Sequence, residues 1–191
     1  MTDEQQTTLA GLSDRTSSLA FDWSAYWHQY SHPGTWQFWV YLLTFAVPLA
    51  ALVFLLDRSK AYRLGFYGLT IHLIAVQVDL YATSHRMWVY PYRLLPTATF
   101  SVGLDVSLIP VVYMLFYQWT LNSRKNYYLC LFGVAFAFSF LFKPLLSWLG
   151  LFLLDESPYW QLFLLYIAGG LLGKWITDLF HFAQKTAYRQ D

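Results

Sequence analysis

With 191 residues, 57% of them hydrophobic and only 12% charged, the chain carries about half the charge of a soluble domain. A net charge of +1 and a pI near 7.8 leave no electrostatic footprint for nucleic acid. The single cysteine, Cys130, excludes an intrachain disulfide.

Residues 1–35 begin polar and become aromatic. The apolar positions Leu19, Trp23, Tyr26, Trp27 and Tyr30 follow helical spacing, which fits either a short amphipathic helix along the membrane interface or an aromatic linker. Pro33-Gly34 is expected to end the segment. The opening Met1-Thr2-Asp3-Glu4 lacks the basic stretch of a secretory signal, so the first apolar block is expected to stay as an anchor.

Five apolar blocks then succeed one another, each near the ~20 residues needed to span ~30 Å of hydrocarbon. They run from about Trp36 to Leu56, Leu64 to Thr83, Phe100 to Leu121, Tyr127 to Leu149 and Trp160 to Phe180. Pro48, Pro110 and Lys143-Pro144 fall inside them; neighbouring helices can cover the carbonyl that a proline frees. The expected architecture is an all-α integral membrane protein. Residues 1–35 form a tail, 36–182 a five-helix transmembrane domain and 183–191 a cytoplasmic tail. Trp and Tyr, 24 of the residues taken together (9 and 15), suit the two interfaces.

Basic residues set the expected orientation. Arg58, Lys60, Arg63, Arg124, Lys125, Lys174, Lys185 and Arg189 fall on one side. Arg15, Arg86 and Arg93 fall on the other, and the fourth loop offers only the acidic Asp155-Glu156. The N-terminus is therefore expected outside and the C-terminus in the cytoplasm.

A charge at the centre of a membrane helix costs roughly 2.5–3.5 kcal/mol on the insertion scale. Asp79, Asp105 and Lys143 lie on three successive helices of alternating direction. That alternation brings all three to one depth, in the outer half, where they are expected to form one interacting cluster. Gly65, Gly68, His72 and Asp79 are spaced by three, four and seven and so share a face, expected to point into the protein. Lys143 precedes Pro144, where a kink could widen a cavity. The cluster reads either as a structural ion pair or as an outward-facing polar pocket for a cation, proton or small ligand. Gly169-Gly170-x-x-Gly173 permits close helix packing, within the chain or between copies; Gly169 and Gly173 are its defining pair. A metal site from His72, Asp79 and Asp105 has plausible ligand types, but the spacing matches no metal motif. No nucleophile, phosphate-loop or haem signature is present, and no cofactor is expected.

Several residues also recur in a recognisable order: Pro48 with Leu56-Asp57-Arg58, Gly68 and His72 with Asp79, Trp88-x-Tyr90-Pro91, Pro96, Asp105, Leu108-x-Pro110-Val111 with Tyr113, and Phe138-Ser139-Phe140 with Lys143-Pro144. From about Tyr26 to Phe182 the chain resembles an uncharacterised family of small multipass membrane proteins from endospore-forming bacteria of the bacillus and clostridium group. The resemblance implies a bacterial cytoplasmic membrane protein and no reaction. Many members of that family carry an acidic residue where this chain has Lys143.

Three functions follow as expectations. The first is binding or permeation through the intramembrane polar pocket. The second is a structural or accessory subunit that docks partner helices or a second copy. The third is a lipid-modifying enzyme using an acid of the second or third span as general base; it lacks a nucleophile motif and ranks last.

Overall fold

The computed structural model describes residues 1–155 and 157–187. Glu156 of the fourth loop, Arg189 and the end of the tail lie outside the described residues. Helix α1 covers Asp3–Tyr30, α2 Trp36–Leu55 and α3 Ala61–Ser84. A two-residue strand β1 (Trp88–Val89) follows. The third span joins a π-helical stretch, Val102–Leu108, to α4 (Ile109–Ser123). The fourth joins α5 (Tyr127–Phe136), a second π-helical stretch (Ala137–Phe142) and α6 (Lys143–Trp148). Strand β2 (Leu153–Leu154) precedes α7 (Tyr159–Ala187). The fold is an all-α multipass bundle. Among the described residues, five helical segments are long and apolar enough to cross a membrane: Trp36–Leu55, Arg58–Ser84, Val102–Ser123, Tyr127–Trp148 and Tyr159–Thr186. Their boundaries lie close to the expected blocks.

Helix α1 starts sixteen residues before the expected Leu19. Thr2 and Gln5 form a reciprocal capping box: the Gln5 amide donates to the Thr2 hydroxyl at 3.2 Å, and the Thr2 amide to Gln5 Oε1 at 3.0 Å. The first half is mostly polar, with Leu9 and Leu12 its only large apolar residues, too few to set a hydrophobic spacing. Its last turns hold the loop between α3 and α4. Trp27 Nε1 donates to the Arg93 carbonyl at 2.9 Å, and the Arg93 guanidinium lies 3.4 Å from the centre of the Trp23 ring.

The core is aromatic, built on Tyr67, Tyr113, Tyr117, Tyr127 and Phe138. Buried phenols need partners: Tyr67 and Tyr127 share a hydrogen bond of 2.8 Å, and Tyr127 donates to the Gly170 carbonyl at 2.7 Å. Glycines set the closest approaches. A Cβ on Gly68 would meet Met114 Sδ at 2.1 Å, and one on Gly170 would meet Leu131 at 2.3 Å. At the end where α2 meets α3, Gln118 ties the chain both ways, accepting from the Asp57 amide at 2.8 Å and donating to the Leu55 carbonyl at 2.9 Å.

At the other end the two long connections form a roof. Strands β1 and β2 pair antiparallel, Trp88 opposite Leu154 and Val89 opposite Leu153. Gly150, with φ +71°, makes the turn out of α6 that a Cβ would disfavour. The roof buries Trp88, Tyr90, Leu151 and Phe152, and Tyr41 of α2 holds it from below by donating to the Leu151 carbonyl at 2.6 Å.

Candidate functional site under the roof

Prolines shape the site. Within Val102–Leu108 the ladder is π-helical, the Ile109 amide reaching back to the Leu104 carbonyl. The next donor in that register would be residue 110, a proline without an N–H. The Asp105 carbonyl is thereby left free, and His72 fills it, its Nδ1 lying 2.9 Å away and donating. The second π-helical stretch repeats the logic, with the Lys143 amide on the Phe138 carbonyl and Pro144 next. Both wide turns carry a charge into the bundle, Asp105 within the first and Lys143 at the end of the second. Wide helical turns recur at functional sites.

Asp79, Asp105 and Lys143 converge, and all three are buried at 2–3% exposure. Asp79 Oδ1 accepts from Trp88 Nε1 at 2.7 Å and from the Tyr90 hydroxyl at 2.9 Å, and its Oδ2 accepts from the Ser101 amide at 3.0 Å. The same amide reaches Asp105 Oδ2 at 3.1 Å, so one N–H is shared between the two carboxyls. Lys143 Nζ donates to the Tyr90 hydroxyl at 2.9 Å. It sits 3.9 Å from the Phe152 ring centre and 5.0 Å from that of Tyr90. The ammonium therefore reaches Asp79 through a phenol, and Lys143 forms no direct ion pair among the described residues. Burial pushes the Tyr90 phenol well up, and the nearby carboxylates add to that. It thus keeps its proton, donating to Asp79 while accepting from Lys143.

Beside this cluster lies a cavity of about 60 Å³, large enough to hold water or a small polar group. Asp79, Asp105, Lys143, Tyr90 and Trp88 line part of it, and mostly apolar side chains of α3, α4 and α7 line the rest. The roof covers the loop side, where the sequence reading expects an opening.

The remaining expected residues divide. His72 is half-buried and engages the backbone carbonyl of Asp105 rather than a carboxylate. Among the described residues no group of three or more His, Cys, Asp or Glu side chains is arranged to hold a metal ion. Gly68 and Gly173 pack inward, Gly173 with Ile71 Cδ1 2.7 Å from where a Cβ would stand. Gly65 does not: it is exposed and meets nothing within 4 Å. The shared face with Asp79 fails there because burial on α3 centres on Leu64, Tyr67, Gly68 and Ile71, roughly a quarter turn round from Gly65. Asp79 is buried by the roof wrapping the helix end. Gly169 lines the cavity and meets only Ile74, at 3.4 Å; Gly170 makes the tight contact instead. Spacing had no means of finding Trp88, Tyr90 and Ser101 as partners of Asp79, although Trp88-x-Tyr90-Pro91 stands out among the loop residues.

Comparison with known proteins finds no family model, no curated protein and no solved structure that matches the chain.

Proposed function

We propose that the roofed site holds one positive charge inside the bundle, either a proton or the cationic group of a small ligand, and that the protein works by binding or passing it. Charge balance and geometry support this together. Two carboxyls face one ammonium, leaving one negative charge uncompensated. Two carboxyls that share the Ser101 N–H repel one another when both are ionised, and a proton on one of them or a cation between them would relieve that. The single observation that carries the reading is the unequal engagement of the two acids. Among the described residues Asp79 accepts three hydrogen bonds, whereas the Asp105 carboxyl accepts one, from the Ser101 amide, and both line the cavity. Asp79 is the clamp; Asp105 is the group free to take the charge.

The test is infrared spectroscopy of the protein in lipid nanodiscs across a pH titration. A protonated-carboxyl band that Asp105→Asn removes, or its loss when a cation binds, is the expected result. Two permanently ionised carboxylates, indifferent to pH and to added cations, would overturn the proposal in favour of a structural subunit. The resemblance to the small multipass family further leads us to propose a bacterial cytoplasmic membrane, and the Lys and Arg asymmetry supports an orientation with the roof outside. A C-terminal reporter that fluoresces only in the cytoplasm would stay dark if that orientation were reversed.

A further inference from the structure

We infer that the charge held at this site is the protonated amine of a membrane-dissolved amphiphile, which enters from the bilayer between α3 and α7. This rests on the charge-holding reading above and adds the ligand class and its route. The cavity wall itself gives the route. Its polar end is sealed, because Asp79, Asp105, Lys143, Trp88 and Tyr90 are all buried. The lining residues that keep partial exposure are Ile74, Ala75 and Val78 of α3 and Leu165, Tyr166 and Gly169 of α7. They mark one seam between two spans, on a surface that faces lipid in a membrane. A water-borne solute approaching from the loops meets the roof instead.

The shape of the cavity selects the ligand. About 60 Å³ takes a small head and no more, so a longer molecule must leave its tail in the seam, whose walls are apolar. At the polar end the uncompensated charge is negative, which selects a cation over an anion. Lys143 is not a competing anion hook, since it is turned onto Tyr90 and Phe152. Asp105 offers a carboxyl with a single hydrogen bond among the described residues, and Trp88 adds an aromatic wall. A primary ammonium, with three donors and a compact charge, meets that combination. Gly169 completes the argument. Gly170 and Gly173 are pressed by neighbouring side chains, whereas Gly169 faces open space but for Ile74 at 3.4 Å. Its missing side chain leaves the seam passable.

The test uses the full-length protein in nanodiscs and a radiolabelled long-chain primary alkylamine, with the alcohol of equal length and a short-chain primary amine as controls. The alkylamine is expected to bind saturably above empty nanodiscs, at least about tenfold tighter than the alcohol, the factor one charge-assisted hydrogen bond supplies. Asp105→Asn should abolish that preference. Gly169→Leu, which fills the seam, should weaken alkylamine binding by about tenfold more than it weakens binding of the short-chain amine. If amine and alcohol partition alike while the band is present, the amphiphile inference fails and the charge-holding site stands. If neither band nor binding is seen, both fail. Equal binding of the short-chain amine, indifferent to Gly169→Leu, would overturn lateral entry.

Discussion

Where α3 and α7 approach the end opposite the roof, Arg63 and Lys174 sit directly on Asp178, with Arg63 Nη2 at 2.8 Å and the Tyr117 hydroxyl adding a third contact at 3.2 Å. The Asp178 side chain is 35% exposed. Under the roof the pattern inverts. Lys143 and Asp79 are nearly fully buried, yet a phenol stands between them, and the donors on Asp79 are neutral groups. Water can solvate an imperfect arrangement at the first end, so direct ion pairing costs little there and contributes little. In the dry end desolvation dominates, and a charge is kept only if every lone pair is met. The neutral donors stabilise Asp79 without cancelling its charge, leaving the second acid available for something else.

The largest expected effect tests that inversion. Asp79→Asn keeps the shape but turns one acceptor into a donor, which then faces either the Ser101 amide or the Trp88 and Tyr90 donors. At least one buried donor is left unmet, and a charge partner is lost with it. A cost of about 3–5 kcal/mol is expected, measured as thermal stability in detergent, together with a change in Trp88 fluorescence as the roof loosens. A loss within a few tenths of a kcal/mol would erase the distinction between the two ends.

Next in size comes the relay itself. Lys143→Met and Tyr90→Phe should be strongly non-additive, with a coupling of about 1–3 kcal/mol, because the phenol is the only hydrogen-bond acceptor the ammonium has among the described residues. The Lys143–Asp79 coupling should be smaller, since their contact is indirect. The reverse ranking in double-mutant cycles would mean that Lys143 pairs with the carboxylate directly, as at the wet end.

How much of this contrast the sequence discloses depends on the range of the interactions. Apolar blocks are local, so the five spans and the common depth of Asp79, Asp105 and Lys143 can be read from them. Pro110 and Pro144 likewise flag the two wide turns. The roof cannot be read in this way, because a two-residue pairing between Trp88–Val89 and Leu153–Leu154 joins loops some sixty-five residues apart and leaves no periodic trace. The donors to Asp79 depend on that pairing, so they stay hidden although each residue is visible. Gly65 misleads for a related reason: helical spacing gives faces, but which face is covered depends on neighbours. Helix α1 was half legible, since its start is written in Thr2 and Gln5 rather than in hydrophobic spacing.

The smallest expected effect belongs to Asp57, beside the wet end. Its carboxylate accepts from Lys60 Nζ at 2.6 Å and from the Ser59 hydroxyl at 2.6 Å. Those bonds, Lys60 first, hold the carboxyl well below its ordinary value of 3.8. A carboxyl whose folded value is depressed stabilises the fold fully above its unfolded value and loses that contribution as pH falls through the folded one. The contribution of Asp57 should therefore be constant at neutral pH and vanish only in strong acid. Melting curves of the native chain and Asp57→Asn should differ slightly above pH 3.8, begin to approach one another as pH falls below it, meet only in strong acid, and draw together in high salt, which screens exposed pairs. The Asp79→Asn difference should respond to salt hardly at all, because its partners are buried. A salt-sensitive Asp79 effect beside a salt-blind Asp57 effect would place water at the wrong end of the bundle.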